Sequence, residues 1–570
     1  MPVMTRNKRW VVKEIDTALA RTLQDELKLN PVLARLLVQR NIRTFEEARI
    51  FFRPSLDHLH DPFLMKDMDK AVDRINAAMM HNEKIVIYGD YDVDGTTSVA
   101  LMYSFLKKHY PNIDYYIPDR YKEGYGISQA GIDWAKQQQC SLIIALDCGI
   151  KSIDKIAYAT SIGIDFIICD HHLPGDEIPA AVAVLDPKRT DCTYPYKELS
   201  GCGIGFKLLQ AYCNSHRISF DELTPYLDLV VVSIASDIVP ITGENRTLAF
   251  FGLKQLNESP REGLKALLET AVSRKEISVS DIVFIIGPRI NAAGRIDDAK
   301  NAVRLLLSET QFTAGSNAEL LNQKNTERRQ FDMDITKEAL AILQDDIYDQ
   351  RKSTVIYREH WHKGVIGIVA SRLTEVHYKP TIVLTQSNGV AAGSARSIAG
   401  FDIYSAIKEC GDLLEQFGGH MYAAGLTLKL ENVDKFIKRF EEVVSATIDE
   451  NLLTPEIVVD DEIQLKDITP SFYNILKQFA PFGPGNMKPV FVTRNLTDTG
   501  YSRVVGNDHL KISLKDKDNY SGNGIAFGMA HFEELVRDEP VDIVYTIEEN
   551  EWRNVVRIDL MIKDIKPSNA

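Results

Sequence analysis

Five short apolar runs, at residues 85–88, 115–117, 142–146, 164–169 and 182–185, alternate with helix-patterned stretches between about residues 80 and 190. Strands that are apolar along their whole length are buried on both faces, and strands that alternate with helices run parallel. This stretch is therefore expected to form a parallel sheet covered by helices on both sides. Four of the runs end in acids, the last of them, 182–185, at Asp186-Pro187. Asp90-Tyr91-Asp92-Val93-Asp94-Gly95 follows the first, Asp147 the third, and Asp170-His171-His172 the fourth. Asp237 closes a longer apolar segment that opens at Pro225. Parallel sheets build their sites at the carboxyl ends of strands, so these side chains are expected to meet.

At 570 residues the chain is too long for one core, and several domains are expected. Residues 1–55 read as a helical preface, with Leu23, Leu27, Leu33, Leu36 and Leu37 at helical spacing. Residues 56–315 take in the parallel sheet and then turn mostly helical. The segment from Pro225 to Asp237 is apolar almost all round, and its length favours helix over strand. A polar helix over 316–348 either bridges two lobes or lies on the surface. Residues 349–452 form a second α/β lobe, with strands at 354–357 and 381–384 and a helix at 365–376. Its glycines cluster at Gly389, Gly393, Gly400, Gly418, Gly419 and Gly425. From 453 to 570 the apolar period becomes two, clearest at 509–514 and 556–560, which predicts a small antiparallel β-barrel.

Several classes are disfavoured. The seven cysteines are scattered, odd in number and without a C-x-x-C pair, which argues against a disulfide framework or a structural zinc site. The longest apolar stretch, at residues 227–235, carries Asp228 and Ser233 and is far too short to span a bilayer. No apolar h-region follows the basic N-terminus, so a cytoplasmic protein is expected. The net charge of −14 counts, alone, against a nucleic-acid partner. It is a whole-chain sum, however, to which clustered acids contribute.

Asp90, Asp92 and Asp94 place three carboxylates in five residues after a buried strand. A lone D-x-D-G is ordinarily a solvated turn that caps the next helix through Asp94. Three acids so close repel one another, and a cation is the usual remedy. Asp147 could cap a helix, but its place in the same sheet, two strands from the first cluster, favours a metal ligand. Neutral imidazole is a good Mn²⁺ ligand, and a carboxylate beside it can fix its tautomer, which makes Asp170-His171-His172 the sharpest signal. Hard oxygen donors with an imidazole suit a divalent ion that attacks phosphorus, so a metal-dependent phosphoesterase is expected.

The stretch Gly89-Asp90-Tyr91-Asp92-Val93-Asp94-Gly95 together with Asp170-His171-His172 resembles the DHH phosphoesterase superfamily. The longer pattern resembles its RecJ family of single-strand-specific 5′→3′ exonucleases. It includes Pro118-Asp119-Arg120, Glu123-Gly124-Tyr125-Gly126, Leu146-Asp147-Cys148-Gly149, Pro288-Arg289-Ile290-Asn291-Ala292-Ala293-Gly294-Arg295, Gly393-Ser394-Ala395-Arg396-Ser397 and Gly418-Gly419-His420. The resemblance implies a DHH domain and a DHHA1 domain joined by the long helix, then an OB-fold barrel.

It further implies two ions, Mn²⁺ or Mg²⁺. Asp92 would bind one, Asp94, His171 and Asp237 the other, and Asp147 would bridge them. Asp90 and His172 would lie just behind, with His172 near the scissile phosphate. Arg120, Arg289, Asn291, Arg295, Ser394, Arg396 and His420 would hold the terminal nucleotide, with Arg120 and Arg289 at its 5′-phosphate. Arginines in glycine-rich stretches suit that task, although local carboxylates could equally engage them. On the barrel, Tyr501, Arg503, His509, Lys511 and Arg557 suit stacking and backbone contact with a single strand, or form a solvated face. The implied substrate is single-stranded DNA and the implied protein a monomer, with a helicase and a single-strand-binding protein as partners. Two alternatives stand beside this. One is a DHH enzyme acting on short oligonucleotides or cyclic dinucleotides, whose relatives lack the barrel. The other is a scaffold that has lost metal ligands.

Overall fold

The computed structural model describes residues 8–271, 276–552 and 555–568. The chain forms two compact units, one of residues 12–322 with 458–570 and one of residues 323–457 with the N-terminal residues before Val12.

The first unit contains a five-stranded parallel sheet in the order Ile113–Tyr116, Lys84–Gly89, Cys140–Leu146, Asp165–Cys169, Ala183–Leu185. Alternate residues feed two separate cores, as a doubly covered sheet requires. Ile85, Ile87, Leu142, Ile144 and Ile167 pack into one, together with the helices Val93–His109, Gly201–His216 and Leu227–Ser236. Val86, Tyr88, Ile143, Ala145 and Ile168 pack into the other, against Gln129–Gln137 and Ile153–Ser161. The segment ending at Asp237 is indeed a helix, Leu227–Ser236, buried from Leu227 to Ala235.

The sheet order corrects one expectation. Asp147 does not lie two strands from the first acidic cluster, because Ile113–Tyr116 pairs on the outer side of Lys84–Gly89. Cys140–Leu146 therefore bonds directly to Lys84–Gly89, with Gly89 opposite Leu146 and Leu146 opposite Cys169. Asp90, Asp147 and Asp170 each follow one of these aligned residues, so three acids emerge side by side at one sheet edge.

The same unit holds the barrel. Its strands Phe491–Asp498, Val541–Trp552, Val555–Pro567, Ser521–Ala526 and His509–Lys515 pair in that order, and a further pairing of Thr497 with Lys515 closes the ring. The N-terminal helices Thr17–Leu27, Pro31–Val38 and Phe45–Phe52 are part of the barrel's core. Leu23, Leu33, Leu36 and Leu37 are buried with Ile463, Phe479 and Leu510. The preface is not wholly helical, since a strand Arg9–Val12 pairs with Glu456–Val459.

The long polar helix is Gln311–Ile342, and the chain passes from one unit to the other within it. The second unit has a sheet in the order Gln416–His420, Ala423–Leu428, Val390–Arg396, Thr381–Ser387, Thr354–Tyr357, parallel only in its last pair. The glycine-rich stretches 393–397 and 418–420 are largely strand rather than turn. Among the described residues, no helix is long and apolar enough to cross a membrane.

Candidate metal centre

The acidic turn after Gly89 is shaped by its own backbone. Asp92, not Asp94, caps the helix Val93–His109, accepting from Gly95 N at 3.0 Å. A Cβ at Gly95 would collide with the backbone of Asp90, so only glycine lets the turn close this tightly. Asp94 lies in the first helical turn and is buried. Its carboxylate accepts from Gly201 N at 2.7 Å, Cys202 N at 2.9 Å and the Ser233 hydroxyl at 2.6 Å. Asp90 points the other way, accepting from Gly126 N at 3.1 Å and so fixing the loop that carries Tyr125.

Asp147 does not cap a helix. It adopts a left-handed backbone (φ 59°) at the end of its strand, and a Cβ on Gly201 would lie 2.6 Å from its own Cβ. Asp170 is an organiser. Its Oδ2 accepts from Ile150 N at 2.9 Å, its Oδ1 accepts from His171 N at 2.8 Å, and the same Oδ1 lies 2.7 Å from His172 Nδ1. His172 Nε2 is 3.2 Å from the Tyr125 hydroxyl, which donates to the Asp147 carbonyl at 3.2 Å.

The centre itself is His171. Its Nε2 lies 3.2 Å from Asp147 Oδ1, 3.5 Å from Asp237 Oδ2 and 3.8 Å from Asp94 Oδ2. Ligands about 2.1 Å from one octahedral ion sit about 3 Å apart, so this spacing suits a shared cation. Two groups have ligand atoms mutually within 4.8 Å, namely Asp94 with His171 and Asp237, and Asp147 with His171 and His172. Asp92 falls in neither group, although its charge acts on Asp147 and Asp237.

A test of fit comes from hydrogen bonding. Asp147 Oδ1, Asp237 Oδ2 and both ring nitrogens of His171 are buried without any partner. Buried polar groups are nearly always satisfied, so convergent orphans of this kind call for an ion. The electrostatics agree. Burial, then the nearby Asp94, raise the carboxyl of Asp147 well above its usual range and push Asp237 up to about 9. Burial lowers His171, favouring the neutral imidazole that can ligate. Burial also opposes charge on His172, but the hydrogen bond and charge of Asp170 outweigh it and raise His172 to about 9. The donors are hard oxygens plus one imidazole, and they fit Mg²⁺ or Mn²⁺.

The residues expected to hold substrate divide between the units. In the first, Arg120 stacks over Tyr91, 4.9 Å from its ring centroid, and Tyr91 meets Tyr125 edge to face at 6.0 Å. Arg289, Asn291 and Arg295 share the helix Gly287–Ile296. Arg289 donates to Asn322 Oδ1 at 2.6 Å and the Ile285 carbonyl at 2.8 Å, and the Arg295 carbonyl accepts from the Tyr121 hydroxyl. In the second unit, Arg396 donates to Ser394 Oγ at 3.0 Å beside the N-terminus of the helix Ile366–His377. A Cβ on Gly367 would lie 2.9 Å from Ser394 Oγ and 3.0 Å from an Arg396 nitrogen. Burial lowers Arg396 from its usual range, and among the described residues no carboxylate pairs with it. His420 is exposed at the end of an edge strand.

Sequence reasoning missed four contributors. Ser233 sits in an apolar helix with nothing to mark it, and the Gly201 and Cys202 amides carry no residue signature. The Tyr125 hydroxyl lies in a quoted stretch, but its link to His172 needs coordinates.

Comparison with known proteins gives matches over almost the whole chain. Residues 84–234 match the DHH family N-terminal domain, 350–446 the DHHA1 domain and 459–564 the RecJ OB domain. The single-stranded-DNA-specific exonuclease RecJ of Bacillus subtilis is 38% identical over 567 residues, covering 99% of this chain and 71% of that protein. Its namesake from Escherichia coli is 32% identical over 570 residues, covering 95% and 96%. A crystal structure of RecJ in complex with Mn²⁺ from Thermus thermophilus superposes with a TM-score of 0.85 at 26% identity, covering 99% of this chain and 80% of that one.

Proposed function

This chain belongs to the RecJ exonuclease family, and we propose that it degrades single-stranded DNA from the 5′ end, releasing 5′-mononucleotides by metal-dependent phosphodiester hydrolysis. The observation that carries the proposal is the convergence of the unpartnered atoms of Asp147, His171 and Asp237 on one point. Divalent ions bound there supply Lewis acidity for a phosphodiester, whose own negative charge repels nucleophiles.

The chain's own residues do the rest. Asp94, His171 and Asp237 would hold one ion, Asp92 would hold the second, and Asp147 would contribute to both. Asp90 supports the turn from behind. His172, kept charged by Asp170 and 3.2 Å through Nε2 from the Tyr125 hydroxyl, would lie near the scissile phosphate in this reading. Arg120, Arg289, Asn291 and Arg295 on the first unit, and Ser394, Arg396 and His420 on the second, are substrate-binding residues in this reading, and the barrel carries the strand. A barrel in the same unit as the centre favours a polymer over a cyclic dinucleotide. The same reading takes the protein as a cytoplasmic monomer working with a helicase and a single-strand-binding protein.

The experiment is digestion of 5′-labelled single-stranded DNA, matched blunt duplex and a dinucleotide with Mn²⁺. Rapid release of mononucleotide from the single strand alone is expected, and Asp147→Ala should abolish it. Equal digestion of the duplex would overturn strand specificity, and preference for the dinucleotide would overturn the polymer substrate.

A further inference from the structure

The three carboxylates around His171 are not equivalent, and the difference traces to one buried hydroxyl. A carboxylate accepts about four hydrogen bonds or ligand contacts, two per oxygen. On Asp94, Oδ1 is already full, with Cys202 N at 2.9 Å and Ser233 Oγ at 2.6 Å. Its Oδ2 holds Gly201 N at 2.7 Å, which leaves one place, and that oxygen lies 3.8 Å from His171 Nε2. Asp147 Oδ1 and Asp237 Oδ2, by contrast, accept no hydrogen bond.

The donor to Asp94 is fixed by chemistry. A carboxylate has no proton to give, so Ser233 donates to Asp94, and its oxygen also lies 2.6 Å from Ser200 Oγ. Ser200 in turn accepts from Gly203 N at 3.1 Å as the cap of the helix Gly201–His216. Ser200 and Ser233 are both completely buried, so water cannot substitute for either. Gly203, Ser200, Ser233 and Asp94 are thus linked by consecutive hydrogen bonds.

We infer that the Ser233 hydroxyl holds Asp94 to coordination through one oxygen, and thereby sets which divalent ion the centre accepts. The inference rests on the metal reading above. Mg²⁺ demands octahedral geometry with single-atom carboxylate contacts, and Mn²⁺ tolerates the same ligands. Ca²⁺ is larger, takes six to eight oxygens and readily uses both oxygens of one carboxylate. Occupying Asp94 Oδ1 removes that two-oxygen mode. Ser233 is a positioning residue, since it acts through Asp94 alone.

The test is calorimetric titration of the metal-free full chain with Mg²⁺, Mn²⁺ and Ca²⁺, on wild type, Ser233→Ala, Ser233→Thr and Ser200→Ala, each checked for folding by circular dichroism. Removing such an outer partner typically costs 10–100-fold in metal affinity. Ser233→Ala should weaken Mg²⁺ about 10-fold while leaving Ca²⁺ equal or tighter, so that the Mg²⁺/Ca²⁺ affinity ratio falls. Ser233→Thr keeps the hydroxyl and should keep the wild-type ratio. Ser200→Ala should lower the ratio by less, and it decides the matter if Ser233→Ala does not fold. Equal weakening of all three ions, or an unchanged ratio, overturns the inference. A wild-type chain that binds no divalent ion overturns the metal reading, and this inference falls with it.

Discussion

The guanidinium of Arg246 lies 3.8 Å from the ring centroid of Phe51, buried and without a carboxylate partner among its hydrogen bonds. Five backbone carbonyls take the place of a counter-ion. Arg246 donates to Phe51, Gln478, Phe479, Ala480 and Pro481 at 2.8–3.4 Å, tying the N-terminal helices and the barrel's entry turn to the helix Gly243–Glu258. Burial, then repulsion from Arg40, lower its pKa to about 9. Removing the fork strands several buried carbonyls, each costing about 1 kcal/mol or more, and forfeits a desolvated cation–π contact of about 2 kcal/mol. Arg246→Ala should therefore cost about 3–5 kcal/mol, and Arg246→Lys nearly as much, because a point charge cannot reach five acceptors. Thermal denaturation measures this, and a lysine variant as stable as wild type would show that charge alone suffices.

The Asp170–His172 pair should govern rate rather than metal loading. His172 outweighs burial and holds Asp170 down at about 2, and Asp170 holds His172 up at about 9. Asp170→Asn keeps the shape but removes the charge that keeps His172 protonated near neutral pH. The expected result is a fall in kcat of about 10²–10⁴-fold, typical of losing a positioned proton donor. Mn²⁺ affinity should move by only a few-fold. Steady-state kinetics beside Mn²⁺ titration separate the two, and a variant that loses metal with rate unchanged per bound ion would refute the assignment.

Stability of the metal-free protein should fall as pH rises. Asp237 is pushed up to about 9 and Asp147 well above its usual range, by burial first and by Asp94 second. Unfolded aspartate releases its proton near pH 4. Between about pH 4 and 9 the folded state thus binds more protons than the unfolded one, and stability declines with pH across that window. Melting in a chelator should show this slope, Mn²⁺ should offset it most at the alkaline end, and Asp237→Asn should flatten it. A melting temperature that does not change with pH in the chelator would contradict the buried charge cluster.

What the sequence disclosed, and what it hid, follows from where each interaction lives. Residues 142–146 and 164–169 are apolar without a break because both faces are covered, so strand positions and their acidic ends were legible. The neighbour relation was not. Apolar runs do not encode order, and only the outward placement of Ile113–Tyr116 brings Asp147 beside Asp90. The start of the helix Val93–His109 carries little sequence signal, because Gly95, Thr96 and Thr97 are poor helix formers held by tertiary packing. His171 and the carboxylates were legible as side-chain chemistry. The Gly201 and Cys202 amides that orient Asp94 were not, because a backbone N–H looks alike at every residue. Arg246 was hidden for the same reason, since all five of its acceptors are main-chain oxygens.

Gly201 links these two kinds of information. It opens the helix Gly201–His216, donates its amide to Asp94 Oδ2, and passes so close to Asp147 that a Cβ would stand 2.6 Å from Asp147 Cβ and 2.9 Å from its Cα. The backbone conformation of Asp147 is already left-handed, so its main chain has little room to yield. Gly201→Ala should therefore push the helix start away from the strand end that carries Asp147 rather than let a flexible side chain swing clear. Overpacking of this kind costs about 1–3 kcal/mol. The larger expected effect is on metal affinity, because it moves Asp94 and Asp147 together. The contrasting variant is Gly203→Ala in the same helix turn, where the nearest atoms to a Cβ lie at 3.4 Å or more. Mn²⁺ titration should find Gly201→Ala weakened by at least 10-fold and Gly203→Ala near wild type. Equal affinities in the two would mean that the helix start does not hold the centre in shape.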